Sequence, residues 1–145
     1  MGHETVARML LTFLCAVQGV ATFLIDLNRT HATNPAWPRH ARFHLVWQTL
    51  SVTLMSVFEV ALVCWPGEYL QARFYLAVIL VSIPLIAFLL AFVSRKLYGG
   101  ALSDTNGIPP ATVVFFGRAL RADLNFVAVA AAFLALAAIV EIYTH

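Results

Sequence analysis

The sequence predicts an all-α integral membrane four-helix bundle, on three observations. Of its 145 residues, 61% are hydrophobic and only 11% charged, against about half and about one quarter in an ordinary soluble domain. The apolar residues gather into four stretches of roughly 20, the length that crosses a bilayer core. Most Lys and Arg residues lie between those stretches. A chain this short exposes too much surface to hide so much Phe, Leu, Val and Ala from water, so a bilayer is the expected solvent. The composition argues against a soluble enzyme, a disulfide scaffold and a disordered tail. A net charge of +2, with no dense Lys/Arg cluster, offers no grip on nucleic acid.

The first span covers residues 6–25. It reads as a span rather than a cleaved leader, because its apolar run is long and no A-x-A site precedes Asp26. Gly2 is not followed by the Ser or Thr that myristoylation needs, since that position is Val6. The second span covers 44–65 and ends in Trp65-Pro66-Gly67-Glu68, whose Pro and Gly predict a tight reversal into the third span, 74–93. Pro84 lies near the middle of that third span and is expected to kink it. In the fourth span, 124–143, Ala128, Ala132 and Ala135 recur at helical spacing, which permits close approach of another helix and a homo-oligomer. Cys15 and Cys64 fall inside apolar segments without companion ligands and read as small buried hydrophobes.

Loops 26–43 and 94–123 hold seven of the nine Lys/Arg residues: Arg29, Arg39, Arg42, Arg95, Lys96, Arg118 and Arg121. Only Arg8 and Arg73 lie on the opposite side. The positive-inside rule makes both loops cytoplasmic and both termini non-cytoplasmic in a multi-pass protein of the cell membrane. The aromatic belt agrees, with Trp65, Tyr69 and Tyr143 at one interface and Trp37 and Tyr98 at the other.

Polar residues concentrate between Asp26 and Gln48. Asn34-Pro35 is a good helix start, although Pro38 can move it later. His40, His44 and Gln48 then repeat at four-residue intervals, continued by Ser51, Met55 and Glu59, so one polar stripe is expected to descend into the membrane and face the bundle. Gln18, Thr22 and Asp26 share a face of span one. A carboxylate at a helix C-terminus is disfavoured by the macrodipole and needs partners. The expected site is therefore Asp26, His31, His40 and His44, with Gln18, Trp37, Arg42, Trp47, Gln48 and Glu59 as substrate contacts and Asp104 and Asn106 as a lid from the second loop. Glu59 lies about four turns below His44 and would pair with Gln18 or Arg73, meet the polar part of a long ligand, line an outer cavity, or simply stay buried and protonated.

An Asp-oriented His can act as general acid or base near neutral pH. Paired His at i and i+4 beside a carboxylate can also hold a divalent metal, here His40, His44 and Asp26, but H-A-R-F-H lacks the Glu of H-E-x-x-H. Haem ligation ranks last, because no facing span offers a histidine. Histidine, arginine and tryptophan at an interface can equally serve as anchors.

The run T-H-A-T-N-P-A-W-P-R-H-A-R-F-H, with the later Y-G-G-A-L-S-D-T-N-G-I-P-P, resembles small four-span membrane proteins of the DoxX-like families. The resemblance covers about a quarter of the chain, implies that His31, Asn34, Pro35, Trp37, His40, Arg42 and His44 are functional, and names no reaction. The architecture is also similar to that of membrane sterol isomerases of the emopamil-binding type, which do acid–base work on lipophilic substrates but carry an additional span. The expectation is a small membrane enzyme acting without a cofactor on a lipophilic molecule by isomerisation, cyclisation or epoxide opening. A non-catalytic binding or assembly subunit, and a metal-dependent enzyme, are the alternatives.

Overall fold

The computed structural model describes residues 2–104, 109, 111–115 and 118–145. Four long helices dominate: α1 (His3–Asp26), α2 (Arg39–Cys64), α3 (Leu70–Ser94) and α4 (Leu124–Thr144). All four are long and apolar enough to cross a membrane. Their outward faces are apolar too, with Phe13, Leu54, Leu90 and Leu134 among the exposed side chains. That is the pattern of helices whose solvent is hydrocarbon, in which every backbone polar group must be satisfied within the segment.

α1 packs most extensively on α2, then α4; α2 meets α3, and α3 meets α4 more sparsely. The core lies in the half of the bundle that holds both termini and the α2–α3 turn. There Ala7, Leu11 and Cys15 of α1 meet Val63 of α2, Phe74, Ala77 and Val81 of α3, and Leu136, Ile139 and Tyr143 of α4. Phe74 and Tyr143 stack at 3.8 Å between ring centroids, and Tyr75 meets Tyr143 edge-on at 5.7 Å. In the turn, Gly67 has a φ of 127° and Tyr69 one of 61°. Gly takes the first without strain. The Tyr69 carbonyl accepts from Arg73 N at 2.9 Å, and the Arg73 guanidinium returns to the Trp65 carbonyl. Arg73 is thus half-buried and bonded to the turn, not freely solvated as its position suggests.

Two local features depart from expectation, a β-hairpin in the second long connection and an exposed Cys64. α2 starts at Arg39, directly after Pro38, the later of the two starts expected. Trp37 precedes Pro38, whose ring disfavours helical backbone at the residue before it. α3 runs unbroken as a helix through Pro84. The second long connection carries a 3-10 turn (Arg95–Leu97) and an antiparallel hairpin of β1 (Ala111–Phe115) and β2 (Arg118–Ala122), in register Ala111 to Ala122 and Phe115 to Arg118. Thr112-Val113-Val114-Phe115 is rich in β-branched and aromatic residues that suit a pleated strand. Asp123 then caps α4, its Oδ1 accepting from Phe126 N at 3.0 Å. Of the cysteines, Cys15 is buried but Cys64 is exposed, with its Sγ 3.4 Å from Thr12 Oγ1.

The α1–α2 approach hinges on one glycine. A Cβ on Gly19 would sit 2.5 Å from Ser56 Oγ and 2.6 Å from Ser56 Cβ. Rotating the hydroxyl away leaves the Cβ clash. Gly19→Ala is expected to destabilise the bundle by about 1–3 kcal/mol, the usual cost of overpacking. Ser56→Gly should restore much of that loss, read as detergent-solubilised thermal unfolding of the two single variants and the double.

Candidate functional site

Asp26 ends α1 half-buried, and its backbone carbonyl accepts from Ala32 N at 3.0 Å, so the following loop folds back over the helix end. Across the helix pair, Thr49 Oγ1 donates to Asp26 Oδ2 at 3.1 Å and also to the Leu45 carbonyl at 2.9 Å. Thr49 is fully buried. A hydrogen bond to a carboxylate that is partly withdrawn from water is worth more than a neutral one. His31 stands close enough to Asp26 to interact with it electrostatically.

The loop is held largely by its own side chains. Asn28 Oδ1 accepts from Thr30 N at 2.7 Å and from Thr30 Oγ1 at 2.6 Å, an Asx-type turn. Thr30 Oγ1 also lies 2.7 Å from His31 Nδ1, and the Trp37 ring meets His31 edge-on at 5.3 Å. Buried Asn34 donates to the Thr30 carbonyl at 3.2 Å and accepts from Ala36 N at 3.0 Å. His31 is therefore fixed from two sides, at Nδ1 by Thr30 and at the ring by Trp37.

His40 and His44 are not part of this group. Both are exposed, and their Nε2 atoms lie 3.0 Å apart, with the rings nearly perpendicular at 89°. Trp47 and Gln48 are exposed as well, as are Ser51 and Met55, while Arg42 is half-buried. Of the expected inward stripe only Glu59, at its far end, is buried; the loop-side members face outward. Thr49, Ser56 and Glu59 are the polar residues of α2 that turn inward. Thr49 is a site residue that the sequence reading missed; a Thr one helical turn from its acceptor carbonyl usually reads as self-bonded. Its phase, about 180° around the helix from His40 by α-helical geometry, was the available signal.

Glu59 is wholly buried, and neither carboxyl oxygen has a hydrogen-bond partner among the described residues, so the expected pairing with Gln18 or Arg73 is not made. The Cys15 thiol faces it. Gln18 is half-buried on α1, Asp104 is exposed, and Asn106 lies outside the described residues. No group of three or more potential metal ligands occurs among the described residues, so Asp26 does not complete a metal site with His40 and His44.

An apolar groove of about 300 Å³ runs between α1 and α2, lined by Ala16, Gly19, Phe23, Thr53, Ser56 and Val60 among others. Thr53 lies one helical turn from Thr49, and Phe23 three residues before Asp26. The groove therefore runs along the membrane-embedded helix pair towards the Asp26–Thr49 contact. Comparison with family models, with curated proteins and with solved structures gives no match.

Thr49→Val keeps the shape of the side chain but leaves the Asp26 carboxylate without its cross-helix donor. A loss of about 1–3 kcal/mol is expected, the cost of an unsatisfied, partly buried acceptor. In a double-mutant cycle with Asp26→Ala, the two losses should be strongly non-additive. Additive losses would mean that the contact contributes nothing.

Proposed function

We propose that this chain is a small membrane enzyme that acts on a lipophilic molecule by acid–base chemistry at the loop-side end of α1 and α2. The observation that carries the reading is Asp26, a carboxylate at the end of an apolar span, held by Thr49 and accompanied by His31. A membrane protein keeps such a group where it has work or a partner. In this reading the apolar body of the substrate lies in the α1–α2 groove, entered from the surrounding lipid, with its reacting end against His31. His31 Nε2 transfers the proton, Thr30 orients the ring through Nδ1, and Asp26 stabilises the imidazolium that forms. This narrows the expected set: of its three histidines, His31 is the one that carries the proton. Isomerisation, cyclisation and epoxide opening suit the site, because each is driven by proton transfer and needs no redox cofactor, with water or a group of the substrate itself taking the opened epoxide carbon.

The topology that accompanies this reading has both termini on the non-cytoplasmic side of the cell membrane and the site at the cytoplasmic face, as the Lys/Arg distribution favours. Reporter fusions to either terminus should then be active only when the reporter works outside the cytoplasm. The N-P-x-W-P-x-H-A-R-F-H motif is the ground for placing the chain with the DoxX-like families.

A second reading, a non-catalytic binding or assembly subunit, is favoured by the exposure of His40, His44 and Gln48 and of Ala128 and Ala135 on α4, which leaves that helix open to a second copy. Proton transfer separates the two without knowledge of the substrate. The protein is incubated in D2O with epoxide- and alkene-bearing lipids, which are then extracted and weighed by mass spectrometry. Catalysis predicts a product or deuterium incorporation that falls by about a hundredfold or more in His31→Ala and Asp26→Asn, the range general acid–base groups contribute. The thermal stability of His31→Ala should stay near wild type. Activity that is untouched by His31→Ala, or an inert wild type that still binds the lipids, would overturn the enzymatic reading.

A further inference from the structure

His40 and His44 stand outside the chemistry assigned to Asp26 and His31, yet their geometry is specific. They occupy the first two turns of α2, four residues apart on one face, both exposed at the loop-side end of the span. Their Nε2 atoms converge to 3.0 Å. Two nitrogens at that separation, each about 2.0–2.1 Å from one ion, subtend roughly 95° at the ion. That is close to the angle between neighbouring ligands in a square-planar, tetragonal or octahedral site, the geometries in which Cu2+ and Ni2+ take imidazole. The bond between the two rings requires one nitrogen to donate and the other to accept, so at least one ring is neutral, the form that ligates. On the same helix Trp47 lies against His44 at 5.9 Å and Phe43 packs edge-on to it at 5.9 Å, which limits the rotamers of that ring.

We propose that His40 and His44 form a two-imidazole chelate for a late first-row divalent metal ion at the membrane surface, with the remaining coordination positions open to water or to an incoming ligand. The second imidazole binds as an intramolecular ligand, so the pair holds the ion far more tightly than either ring alone. The site is separate from Asp26, which is engaged by Thr49 on the opposite side of α2.

The test uses the full chain in lipid nanodiscs, in a His3→Ala background that removes the imidazole nearest the N-terminus, with any affinity tag cleaved. One equivalent of Cu2+ is added, and electron paramagnetic resonance counts the equatorial nitrogens. Two imidazole nitrogens per copper are expected, falling to one in His40→Ala and in His44→Ala, with affinity weakened by about a hundredfold in each. His31→Ala and Asp26→Asn should leave the signal unchanged. Both histidines are exposed, so their variants should fold; unaltered helical circular dichroism and thermal unfolding check this. A two-nitrogen signal that survives the His40→Ala/His44→Ala double variant overturns the proposal. So does a signal lost in His31→Ala, which would place the ion at the proposed catalytic group instead.

Discussion

The close approach of α1 and α2 at Gly19 is the contact on which the rest of the bundle depends. Between two apolar helices in lipid the hydrophobic effect offers little, so association rests on packing and on polar contacts that hydrocarbon cannot replace. Gly19 lets the backbones come near enough for the Ser56 hydroxyl to donate to the Cys15 carbonyl, a bond between helices rather than within one. Farther towards the loops, the same juxtaposition brings Thr49 within reach of Asp26. Towards the termini, it aligns Cys15 with Glu59 and places Arg8 beside the Val63 carbonyl. One small residue thereby sets the register of four polar contacts spread along the pair.

The four spans were legible because length and hydropathy answer to the thickness of a bilayer, a constraint that acts on each segment alone. α4 follows the expected 124–143 almost residue for residue, since Asp123 supplies its cap and Leu124 begins its apolar run. What the chain pattern could not settle is which polar face of α2 turns inward. Two stripes compete: His40, His44 and Gln48, and Thr49 with Ser56. Their spacing is equally helical. The decision comes from α1, where Gly19 and Asp26 select the second stripe, and a tertiary choice of that kind leaves no mark within α2 itself. The hairpin was missed for another reason. Its strands are only five residues each, and a loop already explained by charge and Gly/Pro content hid the run of β-branched residues.

Glu59 shows how position along a span decides exposure. Gln48 and Glu59 project within about 20° of one another by α-helical geometry. Gln48 is nonetheless exposed, whereas Glu59 is buried. The difference lies in the neighbours: the core of Leu11, Phe74, Val81 and Ile139 closes the terminal half of the bundle, while the loop-side half has few buried side chains on α3 and α4. An amphipathic stripe therefore need not be buried along its whole length. The carboxyl of Glu59 sits where an unpaired polar group is costly. Cys15 is a weak partner for it, so the stability gained by the core around it must offset that cost.

The polar residues of the Asp26–Gln48 stretch divide into two sets for a geometric reason. Thr49 lies about 140° around the helix from His44 and about 180° from His40. Once Thr49 turns to Asp26, the two histidines must face away from it, whatever else binds there. His31 escapes this restriction because it belongs to the loop, which folds back through the Ala32 to Asp26 backbone bond and can carry an imidazole to the carboxylate. His40 and His44 can join Asp26 only if α2 rotates by roughly half a turn, which would pull Ser56 away from Cys15 and bring the bulk of Leu54 or Phe58 against Gly19. A helix pair locked by a glycine contact resists such a rotation. The imidazoles of one motif are thereby committed to different surroundings, one half-buried in the loop that folds back over the end of α1 and two paired on an exposed face.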